Sequence, residues 1–119
     1  MRHLQQPKRS KTCGQHCVAM LAGVPVEQVV IKAGEKATKP AELLKIAASF
    51  GLKQKSNLWV LIRGDSELPN NGILKLRKPR RKNFHWACVV NGQIHDPSQD
   101  APGKLANCHE IVAFMPVEK

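Results

Sequence analysis

An α+β fold is what this 119-residue sequence predicts, and three observations carry the prediction. Three stretches in the first half keep a helical hydrophobic rhythm and stop at glycines. Beyond Gly51 the rhythm gives way to short, β-branched or alternating runs. Between two of those runs stands Asn91–Gly92, a pair that suits the positive backbone angles of a tight hairpin. Helices first and an antiparallel sheet second imply one core between the two halves.

The elements follow in order. Residues 1–12 are polar and basic, contain Pro7, and read as an extended lead-in. Thr12 is placed to cap the helix "CGQHCVAMLAG", because its hydroxyl can accept from a free N–H of the first turn. Cys13, Cys17, Met20 and Leu21 share one face of that helix, which Gly23 ends. Pro25 suits the start of a second helix, "PVEQVVIKAG", stopping at Gly34. The third, "TKPAELLKIAASFG", has Thr38 near its cap, Pro40 in its first turn and Leu43, Leu44, Ala47 and Phe50 in apolar rhythm. The strand candidates are "NLWVLI", "GILKLRK", "FHWACVV", "QIHD" and "IVAFMPV".

Length and composition restrict the classes to which the chain can belong. Residues 1–119 fit one domain, long enough for a hydrophobic core without obligatory crosslinks. No apolar run is long enough to span a bilayer, and the basic N-terminus has no apolar stretch behind it. A cytoplasmic protein is expected, in which four cysteines point to chemistry, metal or burial rather than disulfides. The net charge of +10 favours acidic partners, nucleic acid included, and is equally compatible with a merely soluble surface.

Strand alternation puts His85, Ala87 and Val89 on one face of "FHWACVV" and Phe84, Trp86, Cys88 and Val90 on the other. Counting outward from Asn91–Gly92 pairs Val89 with Ile94 and sets Asp96 diagonal to His85 on the same face. An imidazole and a carboxylate so placed can fix each other's protonation. Cysteine chemistry needs a thiolate, which an imidazolium and the N-terminal end of a helix both favour. Cys13 sits where the first helix begins, with Gly14 behind it to admit a substrate backbone. Cys17 lies one turn further in, on the face expected to be buried. In this reading His85 is general base and then acid, and Asp96 orients it. An oxyanion would find one donor in the Cys13 N–H and another in a lead-in amide, Gln5 or Gln6.

The order Gln…"CGxxCxAM"…helix…strands…"HW"…"DP" resembles papain-like cysteine peptidases. The resemblance is strongest to the peptidase domain of bacteriocin-exporting transporters, which removes double-glycine leaders, and to its free-standing relatives. It covers roughly residues 5–117, with Met20 seven residues after Cys13 as in that family. It implies a papain-like fold and hydrolysis of a peptide or isopeptide bond through a thioester. By the same matching Cys13 is the nucleophile, His85 the base and Asp96 the orienting carboxylate. Two departures stand out. Pro7 occupies the place of the family's glutamine, leaving Gln6 as the oxyanion candidate, and Thr12 replaces an acidic neighbour.

Two rival readings compete. Cys13, Cys17, Cys88 and Cys108, or His16 and His109 in their stead, are zinc-ligand types, but only Cys13–Cys17 has ligand-like spacing and it falls in a helix. No metal or cofactor is therefore expected, and Cys88 and Cys108 read as small core residues. The segment "KLRKPRRKNF" supplies Lys75, Arg77, Lys78, Arg80, Arg81 and Lys82 beside His85. It could attract phosphates or an acidic protein, which makes a basic binding module for nucleic acid or an acidic protein the alternative function.

Overall fold

The computed structural model describes residues 2–8, 10–63, 67–78, 84–106 and 109–119. Three helices precede the main sheet strands, in the predicted order: α1 Cys13–Ala22, α2 Val26–Ala33 and α3 Pro40–Ser49. Their ends follow the local chemistry. Gly23 and Gly34 stop α1 and α2 at φ of 71° and 87°, in the left-handed region where a side chain would be strained. Pro40, whose fixed φ and missing N–H cost nothing in a first turn, opens α3.

Among the described residues six strands follow: β1 Lys53–Gln54, β2 Val60–Leu61, β3 Gly72–Arg77, β4 Phe84–Val90, β5 Gln93–His95 and β6 Glu110–Glu118. Every pairing is antiparallel, in the order β1-β6-β3-β4-β5, with β2 also on β6. The β4–β5 hairpin has the predicted register, Val90 opposite Gln93 and Val89 opposite Ile94, turning through Asn91 and Gly92 at φ of 50° and 81°. The run "NLWVLI" contributes only Val60–Leu61 as strand, and β1 was not predicted.

The expectation of a single core is corrected: apolar residues fill both faces of the sheet. On one face Ile73, Trp86, Cys88 and Val90 pack with Cys17, Val18, Met20, Val29, Leu43 and Ala47 of the helices. On the other, Leu74, Leu76, Ala87, Val89 and Phe114 pack with Leu68, Ile94, Leu105 and Ile111. Strand alternation sends successive β4 residues to opposite faces, so each face acquires an apolar set of its own.

Contacts also fix how α1 lies on β4. A side chain on Gly14 would meet Trp86, the Cys17 thiol hydrogen-bonds with Cys88, and Met20, Leu21 and Val90 line one cavity. Helix and strand thus run in the same direction. The N-terminus of α1 therefore looks toward the end of β4 that carries Phe84 and His85. No helix among the described residues is long and apolar enough to cross a membrane.

Candidate active site

His85 sits where β4 begins, beyond the end of the short strand β5. Its Nε2 lies 2.5 Å from Oδ1 of Asp96, the first residue after β5. The Cys13 thiol, at the first position of α1, is in hydrogen-bonding contact with the same imidazole. With Nε2 turned to the carboxylate, Nδ1 is the nitrogen that remains for sulfur. Three residues from two distant parts of the chain thus form one line, Cys13–His85–Asp96.

Asp96 is fully buried, and both of its carboxylate oxygens are hydrogen-bonded. Oδ1 accepts from His85, from the Ser98 N–H at 2.9 Å and from the Ser98 hydroxyl at 2.7 Å. Oδ2 accepts from the Ala106 N–H at 2.8 Å. Burial alone would favour the neutral acid, but these donors and the His85 charge hold the carboxyl below its usual range. Burial likewise opposes charge on His85. The bond to Asp96 and the contact with Cys13 outweigh it, and the imidazole is pushed up to about 9. At neutral pH the ring is an imidazolium held between sulfur and carboxylate. Its side chain is 15% exposed, and the His109 ring meets it edge-on at 5.4 Å between centroids.

Cys17 is fully buried, and its thiol is pushed well up, first by burial and then by its bond to Cys88. It belongs to the core, as its position on the helix predicts. Cys13, by contrast, is half-buried. Cys13, Cys17 and Cys88 are free thiols, and Cys108 lies outside the described residues. Among the described residues no group of three His, Cys, Asp or Glu side chains is placed to hold a metal ion.

Two local expectations are corrected. Thr12 does occupy the cap position of α1, but its hydroxyl makes no cap bond; it lies 2.5 Å from the Ser10 hydroxyl and 3.3 Å from His16 Nδ1. The first turn of α1 also carries no acidic residue, so its N–H groups, Cys13's included, are left without a side-chain acceptor. Gly14 is buried, and a Cβ there would come within 2.5 Å of Thr38 Oγ1 and 3.0 Å of Leu43 Cδ1. The space beside it is filled by this protein's own α3 region rather than left for substrate, so the glycine serves close packing.

The two lead-in amides go different ways. The Gln6 N–H donates to the Pro97 carbonyl at 2.7 Å, which ties the lead-in to the residue after Asp96, and its side-chain Nε2 donates to the Ser10 carbonyl at 2.9 Å. One N–H of that amide remains for another acceptor. Gln5 is exposed and lines a cavity of about 920 Å³ against α2, with Thr12, His16 and Val26. Of the basic segment, Lys75 and Arg77 stand on β3 and Lys78 just after it; Arg80, Arg81 and Lys82 lie outside the described residues. In the sequence His109 reads only as a metal-ligand type, and nothing there signals that it meets His85. No family model, curated protein or solved structure was found to match the chain.

Proposed function

We propose that this protein is a papain-like cysteine hydrolase that cleaves a peptide or isopeptide bond. The observation that carries the reading is His85, bound at one nitrogen to a buried carboxylate and in contact with the Cys13 thiol on its other side. An ion pair of thiolate and imidazolium is the reactive form in such an arrangement. Cys13 Sγ attacks the carbonyl carbon, and charge collects on the carbonyl oxygen. The uncapped N–H of Cys13 and the remaining N–H of Gln6 are the donors offered to it. As the tetrahedral intermediate collapses, His85 gives its proton to the leaving amine, and the acyl group stays on sulfur as a thioester. His85, now neutral, takes a proton from water, and the hydroxide so formed displaces the thiolate and releases the acid. Asp96 keeps the ring oriented through both halves and stabilises the imidazolium each time it forms.

Alkylation tests the reading directly. At pH 6 an ordinary thiol is only about 0.3% thiolate, so iodoacetamide reacts slowly with it. In the wild-type chain Cys13 should be modified at least about tenfold faster than in His85→Ala, with Cys17 and Cys88 protected until the protein unfolds. Equal Cys13 rates in the two proteins would remove the activated sulfur on which the reading depends.

A further inference from the structure

Beyond the N-terminus of α1, the helix-side face of the sheet continues past the helix. Directly paired residues of an antiparallel sheet share a face, and the pairs Leu61–Ala113, Ala113–Lys75 and Lys75–Trp86 make one row across four strands. Trp86 closes the row against α1. It is buried, donates its indole N–H to the Thr38 carbonyl, and stacks on Trp59 with centroids 5.5 Å apart. The rest is open. Leu61 is 61% exposed, and Phe84, next to His85 in the chain, is 41% exposed.

Lys75 stands in the middle of this shelf. Its ammonium lies 3.9 Å above the centre of the Phe84 ring and 5.9 Å from that of Trp59. The ring contacts hold the charge in place without neutralising it. Among the described residues Lys75 enters no ion pair; Arg77, exposed, has Phe84 opposite it on one side and the acidic Glu110 on the other, without an ion pair to it. An apolar floor with one cation held over its rings and a second, exposed one beside it, in a chain of net charge +10, is complementary to one kind of occupant.

We propose that this shelf binds the substrate chain: an extended peptide segment bearing a carboxylate beside an apolar side chain, the carboxylate on Lys75 and Arg77 and the apolar group on Phe84 and Leu61. This rests on the hydrolase reading and gives it a substrate class. The position fits, because the first turn of α1 meets the shelf at Trp86, which a side chain on Gly14 would touch, and Cys13 directly precedes Gly14, so a segment lying there ends beside the sulfur. Peptide is favoured over nucleic acid by how the rings are used. Base stacking needs a free aromatic face. Here one face of Phe84 lies under the Lys75 ammonium and one face of Trp59 lies against Trp86, so each ring keeps at most one face for a base, while the ammonium itself stays available to a carboxylate.

The test uses Cys13→Ala, which binds without turnover, and the intrinsic fluorescence of Trp59 and Trp86. Three blocked pentapeptides of identical leucine content, with Glu, Gln or Lys at alternate positions, are titrated at low and high salt beside a short oligothymidylate. The Glu peptide should bind about tenfold tighter than the Gln peptide at low salt, and the Lys peptide weaker still. Lys75→Gln should erase most of that preference, and Arg77→Gln, at an exposed position, should reduce it in a chain whose fold is undisturbed. Phe84→Ala should weaken all three peptides alike. Equal affinities for the three peptides, a preference unchanged in both charge variants, or binding of the oligothymidylate alone would overturn the proposal. A Lys75-dependent preference in a chain whose Cys13 alkylation proves independent of His85 would uphold the shelf and refute the hydrolase.

Discussion

Replacing Asp96 by Asn keeps the shape of the side chain and removes its charge, and the consequence can be worked from the contacts. His85 stands at about 9 although burial opposes its charge, so the carboxylate and the Cys13 sulfur supply the whole rise. Moving an imidazole from about 6.5 to about 9 corresponds to roughly 3 kcal/mol of differential stabilisation. Because the folded value lies above the unfolded one, that stability is fully present below about 6.5 and is lost as pH rises through about 9. Asn adds a second cost. Whichever way its amide is turned, the NH₂ faces either the Ala106 N–H or the donors of Ser98 and His85, leaving a buried donor unsatisfied for about 1–3 kcal/mol. The expected result has two parts. In ring-carbon NMR titrations His85 falls from about 9 in the wild type to about 6.5 or lower in Asp96→Asn. In urea unfolding the stability gap between the two proteins, several kcal/mol at pH 6, narrows by about 3 kcal/mol above pH 9. A wild-type His85 titrating near 6.5, or a gap that does not change with pH, would refute the reasoning.

Other expectations follow from individual contacts. Gly14→Ala should destabilise the protein by about 1–3 kcal/mol in urea unfolding despite alanine's better helix propensity, and Thr38→Ala in the same chain should recover part of the loss, since Thr38 Oγ1 is the nearest obstacle. Gly92, at φ 81°, should cost about 1–2 kcal/mol when changed to Ala, because a Cβ is strained in that conformation. His16 and His95 are both held below the ordinary imidazole range, chiefly by burial. Their folded values lie under the unfolded one, so the unfolded chain binds more protons and stability should fall as pH drops below about 6.5. Thermal unfolding of His85→Ala at pH 7 and pH 5, which removes the opposing contribution of His85, checks this, and a variant more stable at pH 5 would contradict it.

The helices were legible because their punctuation is local: Gly23, Gly34 and Pro40 act within one turn of where they stand. The His85–Asp96 pair was legible for a related reason. Asn91–Gly92 sets the hairpin register, and two residues past the end of that register the diagonal is fixed by strand geometry. What the sequence hid depends on distant partners. Strands of two residues, such as β1 and β2, carry no period to detect; they exist because β6 offers them an edge. Thr12 has the side chain of a cap, but Ser10 and His16 compete successfully for its hydroxyl. Gly14 looked like an opening for substrate until Thr38, Leu43 and Trp86 were seen to crowd it. Lys75 was one charge in a basic run, and only the sheet brings it over Phe84.

The central claim is that Cys13 is a nucleophile served by His85, and trapping its acyl form tests that claim most directly. The protein is mixed with an activated leucyl ester, quenched in acid at short times, and analysed by intact mass and peptide mapping. The account predicts a single acyl group on Cys13 that forms and then decays in the wild type, forms but persists in excess reagent at high turnover cost in Asp96→Asn, and fails to form in His85→Ala. Acyl groups scattered over lysines, or carried by Cys13 equally in His85→Ala, would contradict it.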